Sequence, residues 1–220
     1  KILFKNNVAE QGGAISNNNF GKIDMNGEIL FINNTVKGND NVYAGAIYNL
    51  GNITLTGNTL FINNTASGNS IIYGGAIYNK GNITSIGNTT FNNNKVIAVT
   101  AGSGGSIYSL SGVLIFEGNN TFNNNEATTN GGAIQLPTSN TKLILNNNTI
   151  FSNNKAYESG GAMSILTALF EINGNITFRN NSADKGGALY LVGSKYIPRK
   201  YNIVNAIFLD NKAFIEGGAI

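Results

Sequence analysis

The sequence predicts an all-β fold, a parallel β-helix in which a coil of about 30 residues repeats along the chain. Two motifs predict it. A phenylalanine box, Phe-x-[Asn/Asp]-Asn, occurs eight times at intervals of 27 to 31 residues, and a glycine box, typically Gly-Gly-Ala-Ile, alternates with it. A third observation argues against helices, because the Gly and Asn that recur throughout the chain are unfavourable inside them.

The composition is that of a folded chain with few charges. Of the 220 residues, 41% are hydrophobic and 11% are charged, and the formal net charge is +3. The apolar share is large enough to fill a long, narrow core. Because the 14 basic residues are scattered, we expect no nucleic-acid partner. No apolar run approaches about 18 residues, so no membrane span is predicted.

The phenylalanine of its box is expected to point into the core. The ring never varies, whereas the next position carries Lys5, Asn92 or Arg179 among others, as in a strand with one buried and one exposed face. Stacked rings one coil apart would then form the spine of the core. These structural residues are Phe4, Phe31, Phe61, Phe91, Phe122, Phe151, Phe178 and Phe208.

The invariant asparagine of the same box follows the strand, where the chain must turn. Asn tolerates left-handed backbone angles, and identical amides one coil apart can bond along the axis as a ladder. We therefore predict a structural role for this position too. Its residues are Asn7, Asn34, Asn64, Asn94, Asn125, Asn154, Asn181 and Asn211.

In the glycine box, the glycines are expected to supply positive φ angles and close approach of neighbouring backbone. The fourth residue is always Ile, Met or Leu, which predicts a core position. Two boxes are imperfect, with Ala44 in the first position of one and Ser106 in the third position of another. Phosphate binding is disfavoured because a P-loop needs Gly-Lys-Ser/Thr at the start of a helix.

A third, weaker pattern lies between the boxes, where apolar and polar residues alternate, as in Ile53-Thr54-Leu55-Thr56. Each coil is therefore predicted to hold three short strands: one at the glycine box, one in this stretch and one ending at the phenylalanine. Residues 1–220 would form a single segment of about seven coils. Because the chain begins and ends inside repeats without polar caps, we expect a piece of a longer array that can self-associate end to end or laterally.

The paired boxes resemble the repeats of the chlamydial polymorphic outer membrane proteins and of related adhesin-like surface proteins of bacteria and methanogenic archaea. The resemblance covers essentially the whole chain. It implies a right-handed β-helical passenger region at the cell surface or outside the cell, associated with the outer membrane or cell wall and used for adhesion. The general preference for right-handed crossovers favours the same hand.

A tyrosine follows the glycine box in three consecutive coils, at Tyr48, Tyr78 and Tyr108, where alternation predicts an outward side chain. The same coils carry longer connections, which include Tyr43 and Tyr73. This aromatic column is a candidate surface for binding a glycan or protein of another cell or surface. The alternative is a tyrosine ladder that only stabilises the solenoid.

A second irregular stretch, residues 194–201, contains a Pro and three basic residues and is predicted to be a protruding loop. Such a loop serves either recognition or solvated decoration.

Three functions remain open from the sequence: an adhesin-like surface segment, a purely structural stalk, sheath or filament, and a carbohydrate-active β-helix enzyme. The enzyme is least favoured because the chain has no His and no Cys, and because glycoside hydrolysis normally needs two carboxyls at one cleft. Only Glu117, Glu126, Glu158 and Glu171 are candidates to meet across coils. We predict no catalytic residue, no cofactor and no metal site.

Overall fold

The computed structural model describes residues 1–220, and every regular element in it is a β-strand. The strands form five sheets, and within each sheet a strand pairs in parallel with the equivalent strand of the next coil. The predicted parallel β-helix is therefore confirmed. The chain has no helix long and apolar enough to cross a bilayer.

Three of the sheets surround the main core, as the sequence predicts. The phenylalanine sheet consists of Ile2–Lys5, Ile29–Ile32, Thr59–Ile62, Thr89–Asn92, Asn120–Asn123, Thr149–Ser152, Ile176–Arg179 and Ala206–Leu209. The glycine-box sheet consists of Ile15–Asn17, Ile47–Asn49, Ile77–Asn79, Ile107–Ser109, Ile134–Leu136, Met163–Leu166 and Leu189–Val192. The alternating sheet consists of Lys22–Asn26, Asn52–Thr56, Asn82–Ser85, Gly112–Phe116, Thr141–Leu145 and Leu169–Ile172.

Two further sheets lie beside the core, so the prediction of three strands per coil is wrong. After the box asparagine the chain stays extended in a shoulder sheet, which consists of Val8–Ala9, Thr35–Gly38, Thr65–Gly68, Lys95–Ala98, Glu126–Ala127, Lys155–Ala156, Ser182–Lys185 and Lys212–Glu216. In the three coils with longer connections it returns through a flap sheet, which consists of Val42–Tyr43, Ile71–Tyr73 and Ala101–Ser103. The shoulder strands contribute no residue to the main core, because their small apolar residues face the flap side instead.

The phenylalanine sheet confirms the predicted spine of the core. Each box phenylalanine pairs with the next, as Phe31 does with Phe61. All seven neighbouring ring pairs are stacked, with centroids 4.6 to 5.1 Å apart and planes within 13° of parallel. The six inner rings are fully buried, and burial of each contributes about 2 to 3 kcal/mol to folding.

The box asparagines form the predicted ladder. At the centre of the chain, Asn64 Nδ2 donates to Asn94 Oδ1 (3.0 Å), and the backbone N–H of Asn64 donates to the same oxygen (3.0 Å). The second hydrogen of Asn64 Nδ2 goes to the carbonyl of Phe31 in the previous coil (2.9 Å). The same bonds link every coil to the next, with Nδ2 to Oδ1 distances of 2.8 to 3.1 Å. Each inner amide is therefore buried with its hydrogen bonds made.

The left-handed turn lies one residue earlier than predicted. The third residue of each phenylalanine box, from Asn6 to Asp210, has φ between 51° and 57°, whereas the invariant fourth asparagine is not left-handed. The two roles are divided because a short polar side chain tolerates the left-handed angle, while the fourth side chain must point inward to reach the ladder.

The glycine box behaves as predicted. Its first residue has φ between 57° and 73° in all eight copies, including Ala44. A Cβ on the second glycine would clash with the backbone of the next coil, as Gly75 would with the carbonyl of Gly105. The fourth residue is buried in the core in the six inner copies.

A second buried ladder, which the motifs did not predict, follows the glycine box. Asn17 Nδ2 donates to Asn49 Oδ1 (2.8 Å), Asn49 Nδ2 to Asn79 Oδ1 (2.8 Å) and Asn79 Nδ2 to Ser109 Oγ (3.0 Å). These bonds tie the corner between the glycine-box and alternating sheets across four coils.

We expect the change Asn94→Ala to lower the free energy of unfolding by about 3 to 5 kcal/mol, because it removes four hydrogen bonds and leaves buried groups of Asn64 and Phe61 unpaired. Urea unfolding followed by circular dichroism measures this. The exposed Asn202 supplies the control, since Asn202→Ala should change stability by less than about 0.5 kcal/mol. Equal effects of the two changes would contradict the ladder.

We expect Ser106→Ala to raise the free energy of unfolding by about 1 to 3 kcal/mol. The Ser106 hydroxyl is buried and has no hydrogen-bond partner, and the other seven glycine boxes have Ala at this position. Removing an unpaired buried hydroxyl removes its desolvation cost. The same unfolding assay applies, with the partly exposed Ser67→Ala as control; a destabilised S106A protein would refute the assignment.

Candidate binding site

The tyrosines that follow the glycine box form the predicted column. Tyr48, Tyr78 and Tyr108 occupy equivalent positions in neighbouring strands of the glycine-box sheet. Their rings stack with centroids 5.3 and 5.7 Å apart and planes within 4° of parallel. They point away from the main core, since the preceding isoleucines belong to it.

The column is nevertheless covered, so the prediction of a tyrosine-lined outer surface is wrong. Tyr78 and Tyr108 are only 3% and 7% exposed, and Tyr48 is half-buried. The flap sheet covers them. It brings Tyr43 edge-on to Tyr78, with ring centroids 4.7 Å apart, and places the ring centroid of Tyr73 4.0 Å from that of Tyr108. Alternation identified the outward side of the strand but not the segment that returns over it.

The flap is fixed to the solenoid by its own small core. Val42 and Ile72 of the flap pack against Val36, Ala66 and Val96 of the shoulder sheet, and all five side chains are buried. The flap strands also pair with one another in register, Tyr43 with Tyr73 and Tyr73 with Ser103. The longer connections are therefore an ordered second layer on one flank.

Burial controls the ionisation of the covered phenols. Desolvation raises the pKa of Tyr78 and of Tyr108 well above the usual value near 10, and the neighbouring tyrosines raise both further. Burial, and then Tyr43, raises the pKa of Tyr48 in the same direction. The covered phenols therefore stay protonated at alkaline pH values where an exposed tyrosine ionises.

A recess opens where the flap ends. The last flap strand is Ala101–Ser103, and the following coil joins its shoulder strand to its glycine box through residues 128–130 alone. Because this coil has no flap strand, a recess of about 290 Å³ lies beside the end of the flap, and we call it the flap recess. Its lining includes Tyr73, Ser103, Tyr108, Thr129, Gln135 and Glu158. The motifs did not predict it, although the shorter connection and the change from Tyr to Gln in the column mark its position.

The irregular stretch at residues 194–201 is a loop with five of its eight residues exposed, among them Tyr196 at 82%. Its second half folds back over the alternating sheet, since Arg199 Nε donates to the carbonyl of Thr167 (2.6 Å) and the Tyr201 hydroxyl donates to that of Val192 (3.2 Å). The predicted protruding loop is therefore present, and its second half is anchored to the solenoid. A groove of about 400 Å³ lies between it and strand Leu169–Ile172.

Three of the four candidate carboxylates are bound to groups other than a second carboxyl. Glu126 pairs with Lys95 (3.2 Å) and Glu171 with Lys142 (2.8 Å), and Glu117 accepts from Asn146 Nδ2 (2.8 Å). Glu158 lies apart, at the flap recess. No group of three or more Asp, Glu, His or Cys side chains is placed to hold a metal ion.

Five segments match the family model described as the Chlamydia polymorphic membrane protein repeat: residues 1–18, 88–110, 121–137, 148–162 and 175–191. Each matched segment contains one phenylalanine box followed by a glycine box, of which segment 148–162 holds the first three residues. The resemblance predicted from these boxes is therefore confirmed. No curated protein and no solved structure matches the chain.

The covered tyrosines predict a loss of stability at alkaline pH. Above about pH 10 the unfolded chain ionises these phenols while the fold keeps them protonated, so the unfolded state binds fewer protons and stability falls as pH rises. Each such phenol contributes a slope of up to about 1.4 kcal/mol per pH unit. Urea unfolding at about pH 9, 10 and 11 measures it, and Tyr108→Phe should reduce the slope. The exposed Tyr196→Phe is the control; identical slopes for the two variants would contradict the assignment.

Proposed function

We propose that this chain, a β-helix built from repeats of the polymorphic membrane protein type, is an adhesin-like segment displayed at the cell surface, where it attaches to a glycan or protein of another surface. The family match and the solenoid fold fit a surface-displayed repeat protein. The single observation that carries the step to attachment is the flap, an ordered second layer confined to one flank of three consecutive coils.

The flap goes beyond what a uniform solenoid needs. The coil after it has five residues, 126–130, between its box asparagine and its glycine box, whereas each flap coil has nine there, four more. Ordering those residues costs about 1 to 2 kcal/mol each in backbone entropy. Recognition residues are commonly held on such local additions to a rigid scaffold.

The outer edge of the flap is polar, and hydrogen bonds between neighbouring coils hold it. Asn69 Nδ2 donates to Asn39 Oδ1 (3.4 Å), the Ser70 hydroxyl to Asn41 Oδ1 (3.2 Å) and the Thr100 hydroxyl to the carbonyl of Asn69 (3.1 Å). Each of these exposed bonds links two neighbouring coils. The edge therefore offers spaced amides and hydroxyls, groups that suit hydrogen bonding to a polar partner.

A purely structural stalk is the second candidate. The observation that favours it is the uninterrupted ladder, since the same buried amide bonds run from Asn7 to Asn211 without a break. A rod of this kind could hold other parts of a protein away from a surface.

The flap can be removed without touching the main core, which makes the proposal testable. We would replace residues 37–43, 67–73 and 97–103 each with Thr-Thr-Asn, which is the sequence of the short connection at residues 128–130. We would also change Tyr48, Tyr78 and Tyr108 to Ser, the residue that Ser16 and Ser164 supply at the same position of other coils. Beads coated with either protein are then offered to a panel of cell types and counted by flow cytometry. We expect the beads coated with the parent protein to attach saturably, and the beads coated with the flapless variant to attach at least about tenfold less. Circular dichroism should show that the variant keeps its stacked coils.

A parent protein that attaches no better than albumin-coated beads would refute the attachment function and favour the stalk. Equal attachment of both proteins would show that the flap is not the site.

A further inference from the structure

The flap recess contains a polar side chain whose bonding capacity is unused. Gln135 follows Tyr108 in the column, and the two are paired in register. It is only 3% exposed, and its Oε1 is buried without a hydrogen-bond partner. A buried acceptor left unpaired destabilises the fold. The side chain lines the recess, so its amide is left for a polar group of a bound molecule.

The walls around Gln135 combine apolar faces with hydroxyl groups. Tyr73 and Tyr108 lie on the flap side, and Pro137 and Leu166 belong to the following coils. The Ser103 and Thr129 hydroxyls are hydrogen-bonded to each other at 2.8 Å within the same lining. Aromatic surface beside several hydroxyls and amides is the lining that a pyranose requires, because a sugar ring has apolar C–H faces and a polar edge.

The one carboxylate of the lining disfavours a negatively charged ligand. Glu158 is exposed at the recess and takes part in none of the four ion pairs of the chain. It accepts hydrogen bonds and repels an acidic sugar. An ammonium group would also satisfy it, so a lysine peptide is the alternative ligand that the test includes.

We infer that the flap recess binds one uncharged hexopyranose unit of a glycan, with one face on the tyrosine wall, one hydroxyl hydrogen-bonded to the Gln135 amide and another donating to Glu158. The volume of about 290 Å³ lies near the lower end of small-molecule sites, about 300 to 1,000 Å³, and suits a single ring. The inference rests on the proposed attachment function and names its ligand class and its site.

Binding is tested on the intact chain with a panel of methyl hexopyranosides and N-acetylhexosaminides, by saturation-transfer NMR and by titration of the recess resonances. We expect at least one sugar to bind and to shift the resonances of Gln135 and Tyr108. Gln135→Met, which keeps the side-chain length without the amide, should weaken binding by at least about tenfold while the protein becomes no less stable. Glu158→Gln should weaken it too.

The other glutamine of the chain, Gln11, gives the matched control, since Gln11→Met should leave sugar binding unchanged. Undiminished sugar binding by the Q135M protein would overturn the inference. It would also be overturned if a lysine peptide shifted the resonances of the recess and none of the sugars did. If no sugar binds while the chain still attaches to cells, the inference fails and the attachment function stands. If sugars bind but beads do not attach, the site stands and the attachment function fails.

Discussion

The rest of the structure depends on one constraint, that each buried box asparagine must find its partners in the neighbouring coils. The six inner amides are fully buried, and an unpaired amide at that depth costs several kcal/mol. The coils can therefore stack only with their boxes aligned. A slip of one residue would break the ladder and turn the phenylalanines to the opposite face. The ring spacing of 4.6 to 5.1 Å follows from this alignment, as it equals the separation of paired strands, about 4.8 Å.

The same constraint explains where the molecule can vary. The three sheets around the core and the second glycine of each box have no room for insertions, because backbone of the next coil lies against them. The connection between the shoulder strand and the glycine box lies outside the core, so extra residues there leave the ladder intact. The flap uses this freedom, and the flap recess arises where the extra residues stop, between the coil of Tyr108 and the coil of Gln135.

Much of the scaffold could be predicted from the sequence, because identical residues at one period leave few arrangements. The buried rings, the amide ladder and the close glycines all follow from that repetition. The shoulder strands could not, since pairs such as Lys155–Ala156 are too short to show alternation. The tyrosines were predicted on the correct side but as surface, because burial there depends on a segment of another layer. Gln135 was missed for the same reason. Its position at the edge of the flap, which ends at the preceding coil, is not visible in its own strand.

Hydrogen exchange of the side-chain amides, followed by NMR at single residues, tests the ladder most directly. The Nδ2 hydrogens of Asn34, Asn64, Asn94, Asn125 and Asn154 donate within the buried ladder. They should exchange as slowly as the most protected backbone amides, through unfolding of whole coils. The exposed Asn202 should exchange at the rate of a free amide. Box asparagines that exchange as fast as Asn202 would contradict the ladder and, with it, the stacking of the coils.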